Sequence, residues 1–515
     1  MVLVSTAGRR FGTRAWLRAK RRERWAARAA TITPFALAAA SGAIYAAAFP
    51  PVSCALVAWV ALVPLLVACA TLSPLRAALA GMCWTMVAAA GVAAFLPGML
   101  ARYFGLAIVP SWIAALAIAA GMHGLFAGAY AAWVAWLVGR RAAHPLLLAS
   151  GWMVCEFARA RCPSSGPWAL TAYSQLDWTP LIQSADLAGP YAIGMLVAAV
   201  NACAAAALMP ALRGRRPLLA ASATVAALAA ALLYGEWRLG QTFGDGPTIA
   251  VAVVQGGAPP ADRAMRPERL ARYVDLTRSG AAPETKLVVW PESAVEAYLE
   301  EPSTTRDVVL RVAADARADL VLGGPHFESS ASGTRYHNSA YLVRDGRLGA
   351  RYDKHRLVPF AEEGRYTPGL GAVVLPASHL SLGMVLCVES MFPDLVRRAV
   401  GEGAEALVNL SNDAWFGDAA PARHQLDMAT LRAVESRRYL VRAAATGFSA
   451  IVDPYGRTLA RSEFGTNQVL NATVRASHVE TPYQRWGDAF AWTVIAIVAG
   501  ATLRALLDRT VEQQQ

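Results

Sequence analysis

The stretch LGMVLCVESMFPDL, residues 382–395, carries an apolar run that stops at Cys387, with Glu389 two residues on and Pro393 four further. Alternating small and branched apolar residues followed by a proline are the pattern of a strand that ends in a turn and feeds a helix. A thiol at such a tip has two readings. On residue type alone Cys387 is a small buried hydrophobe. Set beside a base that takes its proton, and a donor that holds charge on an attacked carbonyl, it is a nucleophile.

Two stretches upstream supply those partners. KLVVWPESA (286–294) ends an apolar strand in Glu292, and RYDKHRLVPFAEEG (351–364) presents Lys354 and, eight residues later, Glu362. Glu292 as general base raises the thiolate fraction, and Lys354 places a fixed positive charge near a tetrahedral intermediate. Each has a plain reading as well: a surface carboxylate for Glu292, and a solvated basic loop for Lys354, which adjoins His355 and Arg356. Glu362 and Glu389 read as supports, the first for the ammonium and the second for the turn at Cys387.

The rest of the chain is a membrane composition. Hydrophobic residues make up 56% of 515 and charged ones 16%, too apolar for a soluble enzyme and too long for one core. Apolar spans fall near 33–49, 54–72, 77–98, 110–138, 144–159, 184–210, 217–235 and 487–507. The net charge of +12 would suit nucleic acid, yet nine Arg and Lys between Arg9 and Arg28 stand directly before the first span, with Glu23 the one acid there. That is the flank of an uncleaved cytoplasmic anchor, and no base-reading motif accompanies it.

Loop charge sets the orientation. Arg76 follows the second span, Arg140 and Arg141 the fourth, Arg213, Arg215 and Arg216 the sixth, and Arg504 and Arg509 the eighth. Every even exit is basic and the odd-numbered loops carry fewer charges, with Arg102 and the pair Arg159 and Arg161 as exceptions, which puts the N-terminus inside. The expected organisation is a basic cytoplasmic segment (1–32), seven helices (33–235), an outer domain (246–478), an eighth helix (487–507) and a cytoplasmic tail (508–515). In the outer domain 248–256, 286–292, 318–324, 338–344, 383–389, 405–411 and 448–454 read as strands, and 264–279, 302–317 and 421–442 as helices. That alternation indicates an α/β sandwich. Of seven cysteines Cys387 alone lies in this domain, so no disulfide framework is expected there. No zinc spacing or phosphate loop occurs, and neither metal nor other cofactor is expected. A transporter would want ionisable pairs inside the spans, and Glu156 with Arg159 is the one pair present.

The three strand-end stretches, in that order, resemble the nitrilase superfamily. WPESA, YDKHRLVPFAEEG, CVESMFPDL and NLSNDAWFGD (409–418) together resemble its membrane-bound branch, the apolipoprotein N-acyltransferase family, over almost the whole chain. The resemblance implies a four-layer α-β-β-α sandwich joined to about eight transmembrane helices, with Glu292, Lys354 and Cys387 catalytic. Asn412 and Trp415 are implied near the site, packed beneath it. It also implies the reaction. Cys387 accepts a fatty acyl chain from a phospholipid such as phosphatidylethanolamine as a thioester, and the α-amine of a diacylglyceryl-cysteine on an apolipoprotein takes it. The place implied is a bacterial inner membrane with the catalytic domain periplasmic. SSGPWALTAYSQ (164–175) resembles the family's segment between the fifth and sixth spans, although Trp168 and Tyr173 also read as interfacial belt aromatics. Val388 stands where the family has tyrosine, Ala361 where it has glycine, and no tryptophan follows Gln255. A membrane acyltransferase or amidase paralogue with another amine acceptor is the alternative reading.

Overall fold

The computed structural model describes residues 32–162, 166–214, 216–242, 246–257, 266–331, 333–359, 361–371 and 373–512. The basic segment before Ile32, Arg215, the stretch after Gly257 where no tryptophan occurs, and the end of the tail lie outside them.

All eight expected spans are helical. In chain order the first half runs α1 (Ile32–Ala47), α2 (Val63–Cys69), α3 (Pro74–Val92), α4 (Leu96–Phe104), α5 (Ile108–Ala119), α6 (Leu125–Gly139), α7 (Pro145–Arg161), α8 (Thr179–Ile182), α9 (Ala185–Leu208) and α10 (Pro217–Leu239). Five helices among the described residues are long and apolar enough to cross a membrane: α3, the continuous α5–α6 rod, α9, α10 and a C-terminal helix over Ala489–Asp508. Ile32–Ala47, Ala55–Cys69 and the 17-residue α7 are shorter than the roughly 20 residues a bilayer core takes. The third span breaks after Val92, and α4 continues it as a separate helix capped by left-handed Gly105.

Small residues let these helices approach closely. A Cβ on Gly81 of α3 would lie 2.4 Å from the carbonyl oxygen of Ala127 on α6, so only glycine permits that crossing. Glu156 and Arg159 take separate partners. Glu156 accepts from the Thr171 amide (2.7 Å) and hydroxyl (2.8 Å), while Arg159 donates to the Trp168 carbonyl (2.6 Å). That is a fold-stabilising arrangement, and it removes the observation that suggested a transporter.

The second half of the chain contains two six-stranded sheets. The strands are β1 (Thr248–Gly256), β2 (Leu287–Val289), β3 (Asp319–Ser330), β4 (Gly333–Arg344), β5 (Arg347–Asp353), β6 (Val374–Pro376), β7 (Ser381–Leu386), β8 (Ala406–Ser411), β9 (Leu440–Ala444), β10 (Ala450–Val452), β11 (Thr458–Arg461) and β12 (Asn467–Arg475). Their orders are β12-β1-β2-β3-β4-β5 and β11-β10-β9-β8-β7-β6, with β1, β2, β3 parallel in one and β7, β8, β9 parallel in the other.

The period of two fixes the layers. Val251 and Val253 of β1 join a core shared with Leu382, Met384 and Leu407 of the second sheet. Ala252 and Val254 face the opposite way, toward Tyr273 of α11 (Arg266–Gly280) and Val309 of α12 (Thr304–Ala316). The second sheet is covered by α13 (Pro393–Gly401) and α14 (Ala419–Ser436). The result is α-β-β-α, as expected. The expected helix 421–442 is corrected: α14 stops at Ser436, left-handed Arg437 (φ +52°) turns the chain, and Leu440–Ala444 is strand β9.

The two halves are tied by buried charge. Arg437 donates to Asp186 at 2.7 Å, both side chains being 0% exposed, and Arg238 of α10 reaches the same carboxylate at 2.6 Å. After β12 the short α15 (Pro482–Trp486) leads into α16 (Ala489–Glu512).

Candidate active site

Three strand ends converge. Glu292 lies three residues past the end of β2, Lys354 follows β5 directly, and Cys387 follows β7 directly. The WPES turn is held tightly because Gly323 of β3 donates its N–H to the Pro291 carbonyl (3.1 Å), and a Cβ there would lie 2.6 Å from the Glu292 Cα. Trp290 anchors the turn from below, donating to Thr277 Oγ1 at 2.9 Å and stacking on Tyr273.

Lys354 is 1% exposed, and its ammonium donates to Glu292 Oε1 (3.0 Å) and to Glu362 (2.9 Å to Oε2). Asn338 on β4 donates from one amide nitrogen to both carboxylates, 2.8 Å to each. Two buried carboxylates thus share one ammonium. Burial pushes the Glu292 carboxyl up from its ordinary value, with the Lys354 charge opposing and Glu362 reinforcing the rise. Burial works against the Lys354 charge too, but the two carboxylates outweigh it and hold the ammonium well above its usual range, so it is permanently charged.

Cys387 is 6% exposed and opens a short 3₁₀ turn with φ +49°, a left-handed conformation that strains a residue with a Cβ. Burial, and next the Glu292 charge, push its thiol up to about 12, so the resting sulfur is protonated at neutral pH. Glu389 stitches this turn to the lysine loop. It accepts from the Leu386 amide (2.6 Å), the Tyr352 hydroxyl (2.7 Å) and the amides of His355 (2.6 Å) and Arg356 (2.9 Å).

A cavity of about 880 Å³ opens beside the carboxylates, lined by Glu292, Asn338, Glu362, Asn412, Trp415 and Tyr103. Asn412 and Trp415 therefore form its wall. In the expected place beneath the site lies Asn409, which donates to the Val385 carbonyl at 3.0 Å. Tyr103 comes from α4 of the membrane half, its ring 4.3 Å from that of Trp415 and its hydroxyl donating to the Ala414 carbonyl. A second, apolar cavity of about 250 Å³ lies among the membrane helices, lined by Trp84, Val92, Phe95, Ala119 and Trp168. Phe95 and Trp168 both pack against Phe416, next to Trp415 in the turn after β8. The rings of Trp168 and Tyr173 both pack against His424 of α14.

Sequence reasoning missed Asn338, the first residue of the expected strand 338–344, which lies within the longer β4 (Gly333–Arg344), and Gln425, whose amide nitrogen is 3.6 Å from Cys387 Sγ. Neither follows the end of an apolar run, so neither carried the signal that marked Glu292 and Cys387. Among the described residues no group of three or more His, Cys, Asp or Glu side chains is arranged to hold a metal ion.

A strand-end Glu, Lys and Cys on paired sheets, set against apolar helices, define a membrane enzyme of carbon-nitrogen hydrolase type. Residues 250–483 match the family described as Carbon-nitrogen hydrolase, and residues 41–203 match Apolipoprotein N-acyltransferase N-terminal domain. A protein named Apolipoprotein N-acyltransferase from Geobacter metallireducens is 33% identical over 506 residues, covering 92% of this chain and 95% of the relative. Its namesake from Gloeobacter violaceus is 32% identical, covering 93% and 96%, and that from Methylococcus capsulatus 32%, covering 69% and 72%. The chain belongs to the apolipoprotein N-acyltransferase family and is a multi-pass membrane acyltransferase.

Proposed function

We propose that this chain moves a fatty acyl group from a phospholipid, phosphatidylethanolamine being the expected donor, through a thioester on Cys387 to the α-amine of the diacylglyceryl-cysteine that begins an apolipoprotein. The observation that carries this reading is the buried Glu292–Lys354–Glu362 cluster at a cavity one wall of which, Tyr103, belongs to a membrane helix. A site built for a soluble amide has no need of that wall.

In the first half-reaction Cys387 Sγ attacks the ester carbonyl of the lipid while Glu292 takes the thiol proton. The C–S bond forms, the carbonyl oxygen becomes an oxyanion stabilised by the Lys354 charge, and the intermediate collapses with cleavage of the C–O bond. Glu292 returns its proton to the departing alkoxide, so lysophospholipid leaves and the thioester remains. In the second, the amine attacks the thioester and yields a proton to Glu292. The C–S bond breaks, the sulfur is reprotonated and the amide is released. Glu362 holds Lys354 in place, and Glu389 keeps the cysteine turn against the lysine loop. Asn412 and Trp415 shape the wall against which the substrates lie. The apolar cavity beside Phe95 and Trp168 suits the acyl chain. Removing one charge-stabilising donor typically costs about 10² to 10³ in rate, which sets the expected loss for Lys354→Ala.

The chain is read as eight transmembrane segments in a bacterial inner membrane with residues 246–478 in the periplasm. The test is lysophospholipid release from purified protein, with and without a diacylated lipopeptide. A burst of at most one equivalent without acceptor, and turnover with it, is expected; steady release without acceptor would make the protein a lipase instead.

A further inference from the structure

We propose that Gln425 is a catalytic residue whose side-chain amide donates to Cys387 Sγ and stabilises negative charge on that sulfur when it attacks and again when it is expelled. The inference rests on the reading of Cys387 as nucleophile.

Gln425 sits on α14, is 0% exposed, and places Nε2 at 3.6 Å from the sulfur, a length suited to the larger acceptor atom. Which end of an amide faces a neighbour is normally a matter of inference, but here the other end is fixed by chemistry. Gln425 Oε1 lies 3.0 Å from Arg442 Nη2 and 3.3 Å from Ser411 Oγ. A guanidinium only donates, so the oxygen must face Arg442 and the NH₂ must face Cys387.

Arg442 cannot turn away to accommodate the reverse. Its Nη2 is held 2.9 Å from each oxygen of Asp413, both side chains being fully buried, and its Nε donates to the Phe448 carbonyl at 3.2 Å. The donor at sulfur is therefore anchored through β9 and the turn after β8.

The charges around the sulfur explain why a neutral donor is useful there. Glu292 after β2, Glu362 in the lysine loop and Asp413 after β8 all bear on the thiol and disfavour its ionisation. Lys354 opposes them but spends its hydrogen bonds on Glu292 and Glu362. Arg442 is neutralised by Asp413. An amide adds stabilisation at the sulfur without adding a buried charge that would need its own partner. It is also selective for the moments that matter. A thioester sulfur accepts poorly, so the bond is strong only while sulfur carries charge, which lowers the barriers on both sides of the intermediate.

Two variants test this in the full-length protein in detergent. Gln425→Met removes the donor at similar volume. Gln425→Glu removes it while keeping an oxygen for Arg442, which guards against a misfolded result. Carbamidomethylation of Cys387 by iodoacetamide is followed against pH by mass spectrometry of its own peptide, so the six other cysteines do not interfere. In parallel, the rate of the lysophospholipid burst is measured. Both variants are expected to move the alkylation profile to higher pH, Gln425→Glu further. Both are expected to slow the burst roughly 10- to 100-fold, the size of a hydrogen bond to a charged group. A merely structural role would leave the pH profile in place. Unshifted profiles and unchanged bursts in both variants overturn the inference. A Cys387→Ala protein that still releases lysophospholipid would instead overturn the nucleophile reading, a result distinct from a Cys387-dependent burst that is indifferent to residue 425.

Discussion

Asn338 and Glu292 show how much of the chemistry depends on single polar groups in an apolar surround. Asn338 gives hydrogen bonds to Glu292 and Glu362, two carboxylates that would otherwise repel across one ammonium. Asn338→Leu should lower stability by about 1–3 kcal/mol, the usual cost of leaving buried polar groups short of a partner, and should slow the burst as well. Thermal unfolding in detergent and lysophospholipid release check both, and an unaltered burst would remove Asn338 from the site. The pH dependence follows from Glu292. A general base must start as carboxylate, and burial raises its pKa. The burst rate should therefore fall with acid at a pH above the ordinary carboxylate range and recover as pH rises through the raised value. Lys354 stays charged throughout, so it adds no limb near neutrality. Glu292 and Cys387 were legible because each ends an apolar run, and Lys354 because it stands in the stretch YDKHRLVPFAEEG that carries the family resemblance. Asn338 and Gln425 were not, since a polar residue inside a buried element reveals no partner in one dimension.

Among the elements, the strands that sequence reading missed have a common place. β5, β6, β11 and β12 are the four sheet edges. An edge strand is covered on fewer sides, so it keeps polar residues, as in RLGARYD and TLAR, and loses the apolar run by which central strands are recognised. β9 was hidden for another reason: α14 ends at Arg437, and a left-handed arginine gives no glycine or proline to mark the stop. That same arginine carries the docking of the two halves. Asp186 meets Arg437 and Arg238 together, and Tyr234 donates to its other oxygen at 2.7 Å. Asp186→Ala leaves buried cations without their carboxylate, a change worth about 3–5 kcal/mol. A lower unfolding midpoint, with faster proteolysis between α10 and β1, is expected; an unchanged midpoint would mean that the apolar contacts alone seat the domain.

For the whole molecule, the ends of the helices sort into two groups. Arg161 at the end of α7 pairs with Asp488 just before α16, and Asp186 at the start of α9 pairs with Arg238 at the end of α10. These four ends gather on the side of the catalytic domain. Arg140, after α6, instead donates to the Ala505 carbonyl near the end of α16, and the Ala143–His144 turn packs against Gly214 after α9. The loops after α6 and α9 thus lie at the opposite end. By the positive-inside tendency we propose that this end is cytoplasmic and that the catalytic domain faces the periplasm. A reporter active only outside the cytoplasm, fused after Gly246, should work; one active only in the cytoplasm should not, and the reverse result would invert the topology. Span count was the less legible part, because α7 and the first two segments are short and the third breaks at Val92.

Cys387 is proposed to carry the acyl group between the two substrates. Intact-protein and peptide mass spectrometry after incubation with phospholipid alone tests it most directly. One added acyl chain is expected, located on the peptide containing Cys387, absent from Cys387→Ser and discharged when a diacylated lipopeptide is added. An unmodified Cys387 in protein that nevertheless acylates the lipopeptide, or an adduct that persists when acceptor is present, would contradict it.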